Sequence, residues 1–247
     1  MRLWLAGIVV SALAFSAAMT AQSSKPQPSQ SPSPNSAGSS SSKDKKHDKV
    51  ALDPEIDSGA VVNGVYRNRA LGLTCKIPAG WVLRTEEMNA REEEDDSGAD
   101  GVAPHPREQK SSSPQRPQRS TESKVLLAAF SRPPGAQGED VNASILIAAE
   151  PVQTYPGLTE AVQYLGVLTE VAKQQGFTED AGPYEIAIGT KALVREDFHK
   201  DVGTRVMRQS TLAMLAKEYA VSITLIGGTE DEVDELLDGV EFSGASK

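Results

Sequence analysis

Between Gly59 and Ser243 the apolar residues fall into short runs separated by turn residues, and only two stretches show helical spacing. Leu71, Leu73, Cys75 and Ile77 alternate along the chain, which predicts a half-buried strand ended by Pro78-Ala79-Gly80. Val125–Phe130 ("VLLAAF") and Ser144–Ala149 ("SILIAA") are continuous apolar runs of central-strand length, separated by the breaker-rich "SRPPGAQGEDVN". Leu158, Ala161, Val162, Leu165, Leu168 and Ala172 recur at helical spacing and predict a helix over Leu158–Gln175, capped by Gly176. Tyr184, Ile186 and Ile188 alternate again, and "TKALVREDF" follows a turn at Gly189. Arg205–Leu215 and Tyr219–Ile226 flank Lys217-Glu218 as a hairpin. Thr229 and Glu232 stand at capping-box spacing before a short helix with Val233, Leu236 and Leu237 on its apolar face; Gly239 stops it, and Val240 with Phe242 forms a last strand. Strands mostly follow strands, so the predicted fold class is α+β, with a largely antiparallel sheet of seven or so strands flanked by two helices.

Two segments lack either period. Residues 22–58 are rich in Ser and Pro and nearly free of apolar side chains, so they read as a disordered tether. Residues 90–123 are acidic first and basic later, and read as a disordered insertion within a domain spanning 59–243. Residues 1–21 have the grammar of a signal peptide: Arg2, the apolar run Leu3–Phe15, then small residues, with cleavage expected after Ala21 or Ala18. An uncleaved anchor is the alternative. Loss of that leader moves the formal charge from −9 to −10, which disfavours nucleic acid or an anionic membrane surface as partner. Cys75 is the sole Cys, so no internal disulfide can form and an apolar core must hold the domain.

"GVYRNRALGLTCKIPAGW" (Gly64–Trp81) resembles the first hairpin of PsbP-like (Mog-type) domains, at Tyr66, Asn68, Leu71, Gly72, Leu73, Pro78, Gly80 and Trp81. The long helix, the paired strands and the "GTEDEVDELLDGVEF" ending are similar too. Cys75 and Ile77 stand where that family more commonly has aromatics, and the hydrophilic stretch is unusually long. The resemblance implies an α/β/α sandwich and a binding or assembly role. It implies no catalytic set, and no functional residue is carried over. On the chain's own terms Trp81 is expected to fold over the sheet end as core, so that Trp81→Ala would cost about 3 kcal/mol or more.

Candidate chemistry is sparse. Cys75 with His199 is the one thiol–imidazole pairing, but Cys75 lies on an apolar strand face and reads as core. "REDFHKDVG" gathers Glu196, Asp197, His199 and Asp201 near a turn; these could serve acid–base or metal chemistry, or form a solvated strand end. Asp96, Gly98 and Asp100 sit in an acidic run, Glu92–Asp100, without the EF-hand's terminal Glu. Pro114 and Pro117, with Arg116 and Arg119, make a minimal PxxP; Gly227-Gly228-Thr229 could bind an anion or simply cap a helix; Asn142-Ala143-Ser144 fits the glycosylation pattern only formally. GxSxG, HExxH, P-loop and dinucleotide fingerprints are lacking. The expectation is an exported, non-enzymatic binding or assembly module with no cofactor, no metal and no catalytic residues. Its partner would be a protein or a small-molecule ligand. The alternative is a periplasmic hydrolase using His199 and the neighbouring acids.

Overall fold

The computed structural model describes residues 56–97, 123–136 and 138–243. The leader, nearly all of the tether, 98–122 and the last four residues lie outside the described residues. The described chain forms β1 (Ala60–Val62), β2 (Val65–Asn68), β3 (Leu73–Lys76), β4 (Val82–Leu83), α1 (Thr85–Ser97), β5 (Lys124–Phe130) and β6 (Ser144–Pro151). After a 3-10 turn at Val152–Thr154 come α2 (Ala161–Gln174), β7 (Thr178–Ile188), β8 (Lys191–Val202), β9 (Arg205–Ala216), β10 (Tyr219–Gly227), α3 (Glu230–Asp238) and β11 (Val240–Phe242). A seven-stranded sheet has the order β4-β5-β6-β10-β9-β8-β7, and a four-stranded sheet the order β1-β2-β3-β11; every pairing is antiparallel. The α+β class and its antiparallel sheet are as expected from the hydrophobic pattern.

Side-chain alternation sets the layers. On β6, Ile145, Ile147 and Ala149 join the main core with Leu73 and Cys75 of β3 and with Ile223 and Leu225 of β10. Leu146 and Ala148 point the other way, to Met88 of α1. On that same outer face Tyr164 and Leu165 of α2 meet Ala213 and Ala220. One face of the large sheet therefore carries α1 and α2. The other carries the small sheet together with α3, whose Val233 and Leu236 enter the main core. The second outer layer is thus more sheet than helix.

The residues carrying the family resemblance hold the small sheet in place. Tyr66 Oη donates to the Ser58 carbonyl (2.9 Å), and the Asn68 amide donates to the Asp57 carbonyl while accepting from Leu71 N–H (3.0 Å). Both side chains are buried.

α1 extends over the first residues of the stretch read as an insertion from Ala90. Its role is to close the edge of β5. β4 pairs only with Phe130 and Ala129. Beyond it, Arg84 N–H donates to the Ala128 carbonyl (2.9 Å) and Thr85 Oγ1 accepts from Ala128 N–H (3.0 Å). One turn further, the Asn89 side-chain amide both accepts from Val125 N–H (2.9 Å) and donates to the Val125 carbonyl (3.0 Å), as a neighbouring strand would. Asn89→Ala is expected to cost about 2 kcal/mol, since it removes two bonds and leaves a strand N–H unpaired. Denaturant unfolding with hydrogen exchange at the Val125 amide measures this; an unchanged midpoint and unchanged exchange would remove Asn89 from the edge closure.

Candidate functional site

At the end of β3 the chain turns through Pro78-Ala79-Gly80, with Trp81 N–H donating to the Pro78 carbonyl (3.4 Å). α3 is brought against this corner from the far end of the chain. Its start is fixed by Thr229 Oγ1, which accepts from Glu232 N–H (3.1 Å), and by the Glu232 carboxylate, which accepts from Gly228 N–H (2.7 Å). Its other end closes on β3, where Lys76 N–H donates to the Gly239 carbonyl (2.9 Å). A Cβ on Gly239 would lie 3.4 Å from the Lys76 carbonyl of β3, so the helix end and the strand are in close contact here.

Between the corner and the helix lies an open groove of about 470 Å³. Ile77, Trp81 and Leu236 form its apolar part, Pro78 lies beside them, and Glu235 and Asp238 are exposed at it. Trp81 is half-buried, resting on the rim of the main core rather than within it. This corrects the expectation of a core Trp: the Pro-Ala-Gly turn carries the indole past the sheet end, where α3 covers only part of it. Trp81→Ala is accordingly expected to cost about 2 kcal/mol, below the figure for a fully buried aromatic. A loss of 4 kcal/mol or more in urea unfolding would return Trp81 to the core.

Glu196, Asp197, His199 and Asp201 do not gather at a turn. All four lie within β8, which runs on through Val202, and alternation sends them to opposite faces. Glu196 is buried beneath α2 and accepts from Thr169 Oγ1. Burial pushes its carboxyl up, against the lowering effect of that bond. Asp197 accepts from Arg195 Nε (2.8 Å), Tyr184 Oη (2.6 Å) and Ser210 Oγ. His199 Nδ1 meets Asp180 (2.5 Å), whose other oxygen pairs with Arg208 (2.9 Å). A carboxylate on Nδ1 orients an imidazole for acid–base work. The hydroxyl on the neighbouring strand, Ser210, is buried and committed to Asp197. Cys75 is not brought to His199: it lies in the other sheet, fully buried, with its thiol pushed up to about 12 by burial.

Asp180 and Arg208, which complete the His199 cluster, carry no local sequence signal; they arrive by strand register from β7 and β9. A second acidic centre also went unread. Glu150, at the end of β6, is buried and accepts from Tyr164 Oη (2.7 Å) and from Tyr155 Oη. The two rings meet edge-on at 5.4 Å. Burial pushes the Glu150 carboxyl up, opposed by the two hydroxyls, and it pushes both tyrosines up as well. A Glu on the helix-facing parity of "SILIAAE" was the available signal.

Among the described residues no group of three or more His, Cys, Asp or Glu is placed to hold a metal ion. Asp96 belongs to α1, while Gly98, Asp100 and the Pro114–Arg119 motif lie outside the described residues. The glycines before α3 are not open to an anion, because the Glu232 carboxylate already takes the Gly228 N–H. The Asn142 side chain is engaged with Ser131 and Arg132. Among the described residues no helix is long and apolar enough to cross a membrane.

No family model matches the chain, and no curated protein matches it. Several solved structures are similar to it, among them these two. One is protein PA94 of Pseudomonas aeruginosa, of unknown function, with 18% identity, a TM-score of 0.32, and coverage of 49% of this chain and 77% of that one. The other is LpqN of Mycobacterium tuberculosis, involved in cell envelope biogenesis, with 10% identity, a TM-score of 0.34, and coverage of 70% of this chain and 83% of that one.

Proposed function

We propose that this protein is an exported, non-enzymatic binding or assembly module, in which a PsbP-like domain over 59–243 follows a leader (1–21) and a tether (22–58). The observation that carries the reading is the groove at Trp81. It leaves a half-buried indole and two carboxylates at the surface, and the fold makes no use of the latter. The leader grammar supports export, and the Tyr66/Asn68 hairpin supports the PsbP-like assignment. Of the polar residues that looked most chemical, Asp197 and His199 are engaged with residues of neighbouring strands and Glu196 with Thr169 of α2.

Native mass spectrometry of the protein purified gently from its own cell envelope tests this. An added mass is the expected result, and its size separates a small ligand from a protein partner. A bare monomer at every concentration would count against a stable binding role. A hydrolytic turnover lost in His199→Ala would replace this reading with an enzymatic one.

A further inference from the structure

We propose that the groove between the Pro78–Trp81 corner and α3 docks an extended, Lys- or Arg-bearing segment of a partner protein. This rests on the binding-module reading and names the chemistry of the partner. α3 carries six acidic residues and no basic one. Three have partners: Glu230 pairs with Arg208 (3.3 Å), Asp234 pairs with Arg195 (3.1 Å), and Glu232 caps the helix start; Asp231 is exposed away from the groove. Glu235 and Asp238, the exposed acids at the groove, form no ion pair or hydrogen bond among the described residues. One cation, Lys76, also lines the groove, and it pairs with Glu241 at the surface (3.3 Å).

The electrostatics of the helix add to this. Asp238 stands in the last turn of α3, where no basic residue answers the negative end of the helix dipole. An incoming ammonium or guanidinium would meet two unpaired carboxylates and that dipole end together. Beside them the Trp81 face offers a cation–π platform, and Ile77 and Leu236 offer apolar surface for the methylene stem of Lys or Arg. A groove of about 470 Å³ holds a few side chains, which suits an extended segment rather than a folded surface. A second copy of this chain is disfavoured as occupant by its net charge of −9, and anionic ligands by the same acids.

The test uses Trp81 itself. The chain has two Trp, and the other, Trp4, lies in the leader, so emission from the exported protein reads the groove. The protein is titrated with short Pro-spaced peptides lacking aromatics: one bearing Lys and Arg, its Asp/Glu counterpart, and a neutral Ser/Gly version. A saturable emission shift with the cationic peptide alone, weakening as salt rises, is expected. Glu235→Lys combined with Asp238→Lys should weaken that binding at least about tenfold and admit the acidic peptide. Both positions are exposed, and an unchanged melting temperature verifies the fold. Equal binding of the acidic or neutral peptide overturns the inference, as does cationic binding indifferent to the reversal. A shift accompanied by dimer mass assigns the groove to a second copy and overturns it too. No cationic binding, alongside a partner found by native mass spectrometry, removes the inference and leaves the binding role standing. Cationic binding with no such partner supports the inference and removes only a stable complex from the binding role.

Discussion

Tyr164→Ala is expected to lower stability by about 4 kcal/mol, and the melting temperature by on the order of 10 °C. Tyr164 is fully buried at the contact of α2 with the large sheet, so truncation opens a cavity where Leu165, Ala213 and Ala220 meet. It also takes from Glu150 one of its two hydroxyl donors, in surroundings that already disfavour the carboxylate. The effect depends on pH. The folded carboxyl of Glu150 lies above its ordinary 4.5, so its contribution to stability is complete below that value and is lost as pH rises through the folded pKa. Tyr164→Phe, which keeps the ring, should steepen that loss, because the charged form loses a hydrogen bond. Glu150→Gln should flatten it and gain on the wild type as pH rises. Glu196 has the same sign and leaves a residual slope. Urea midpoints measured from pH 4.5 to 8 decide the matter, and a Glu150→Gln protein with the wild-type slope would refute the assignment.

Gly189→Val should cost about 3 kcal/mol or more. Gly189 turns β7 into β8 with φ +57, and a Cβ there would lie 2.3 Å from the Phe242 carbonyl of β11. The substitution combines left-handed strain at a β-branched residue with a backbone clash, so the hairpin must move away from the small sheet. Gly80→Ala separates the two effects. Gly80 has φ +85, yet nothing lies within 4 Å of a Cβ built there, so only strain remains, about 1 kcal/mol. Equal losses for the two variants in thermal unfolding would mean that the contact with β11 contributes nothing.

Most strands were legible because burial on one or both faces writes itself into the sequence. "VLLAAF" and "SILIAA" are apolar throughout because both faces of β5 and β6 are covered. What stayed hidden lay at edges. α1 buries Met88 but otherwise reaches β5 through Thr85 and Asn89, so "TEEMNAREEEDDS" shows no apolar stripe and reads as the approach to an insertion. The first half of β7, "TEDAG", is exposed on an outer strand and so has no apolar alternation to read. The charges of β8 suggested a turn because their partners, Asp180, Tyr184, Arg208 and Asp234, come from β7, β9 and α3, and strand register cannot be read from one strand alone. The groove was half legible. The Pro-Ala-Gly corner and the cap of α3 each announced themselves, but their meeting depends on β11 pairing with β3.

That pairing also governs the order of assembly. Val240–Phe242 lie beside Cys75–Leu73, so the small sheet is closed by a strand made long after its neighbours. The hairpins β7–β8, β8–β9 and β9–β10 join strands adjacent in the chain and can form early, at small loop-closure cost. The β3–β11 contact joins distant segments and is expected to form later, with its larger loop-closure cost. Until it forms, Leu73 and Cys75 are paired on the β2 side alone, and the corner carrying Trp81 has no α3 to face. The groove beside Trp81 cannot be complete before that contact is made.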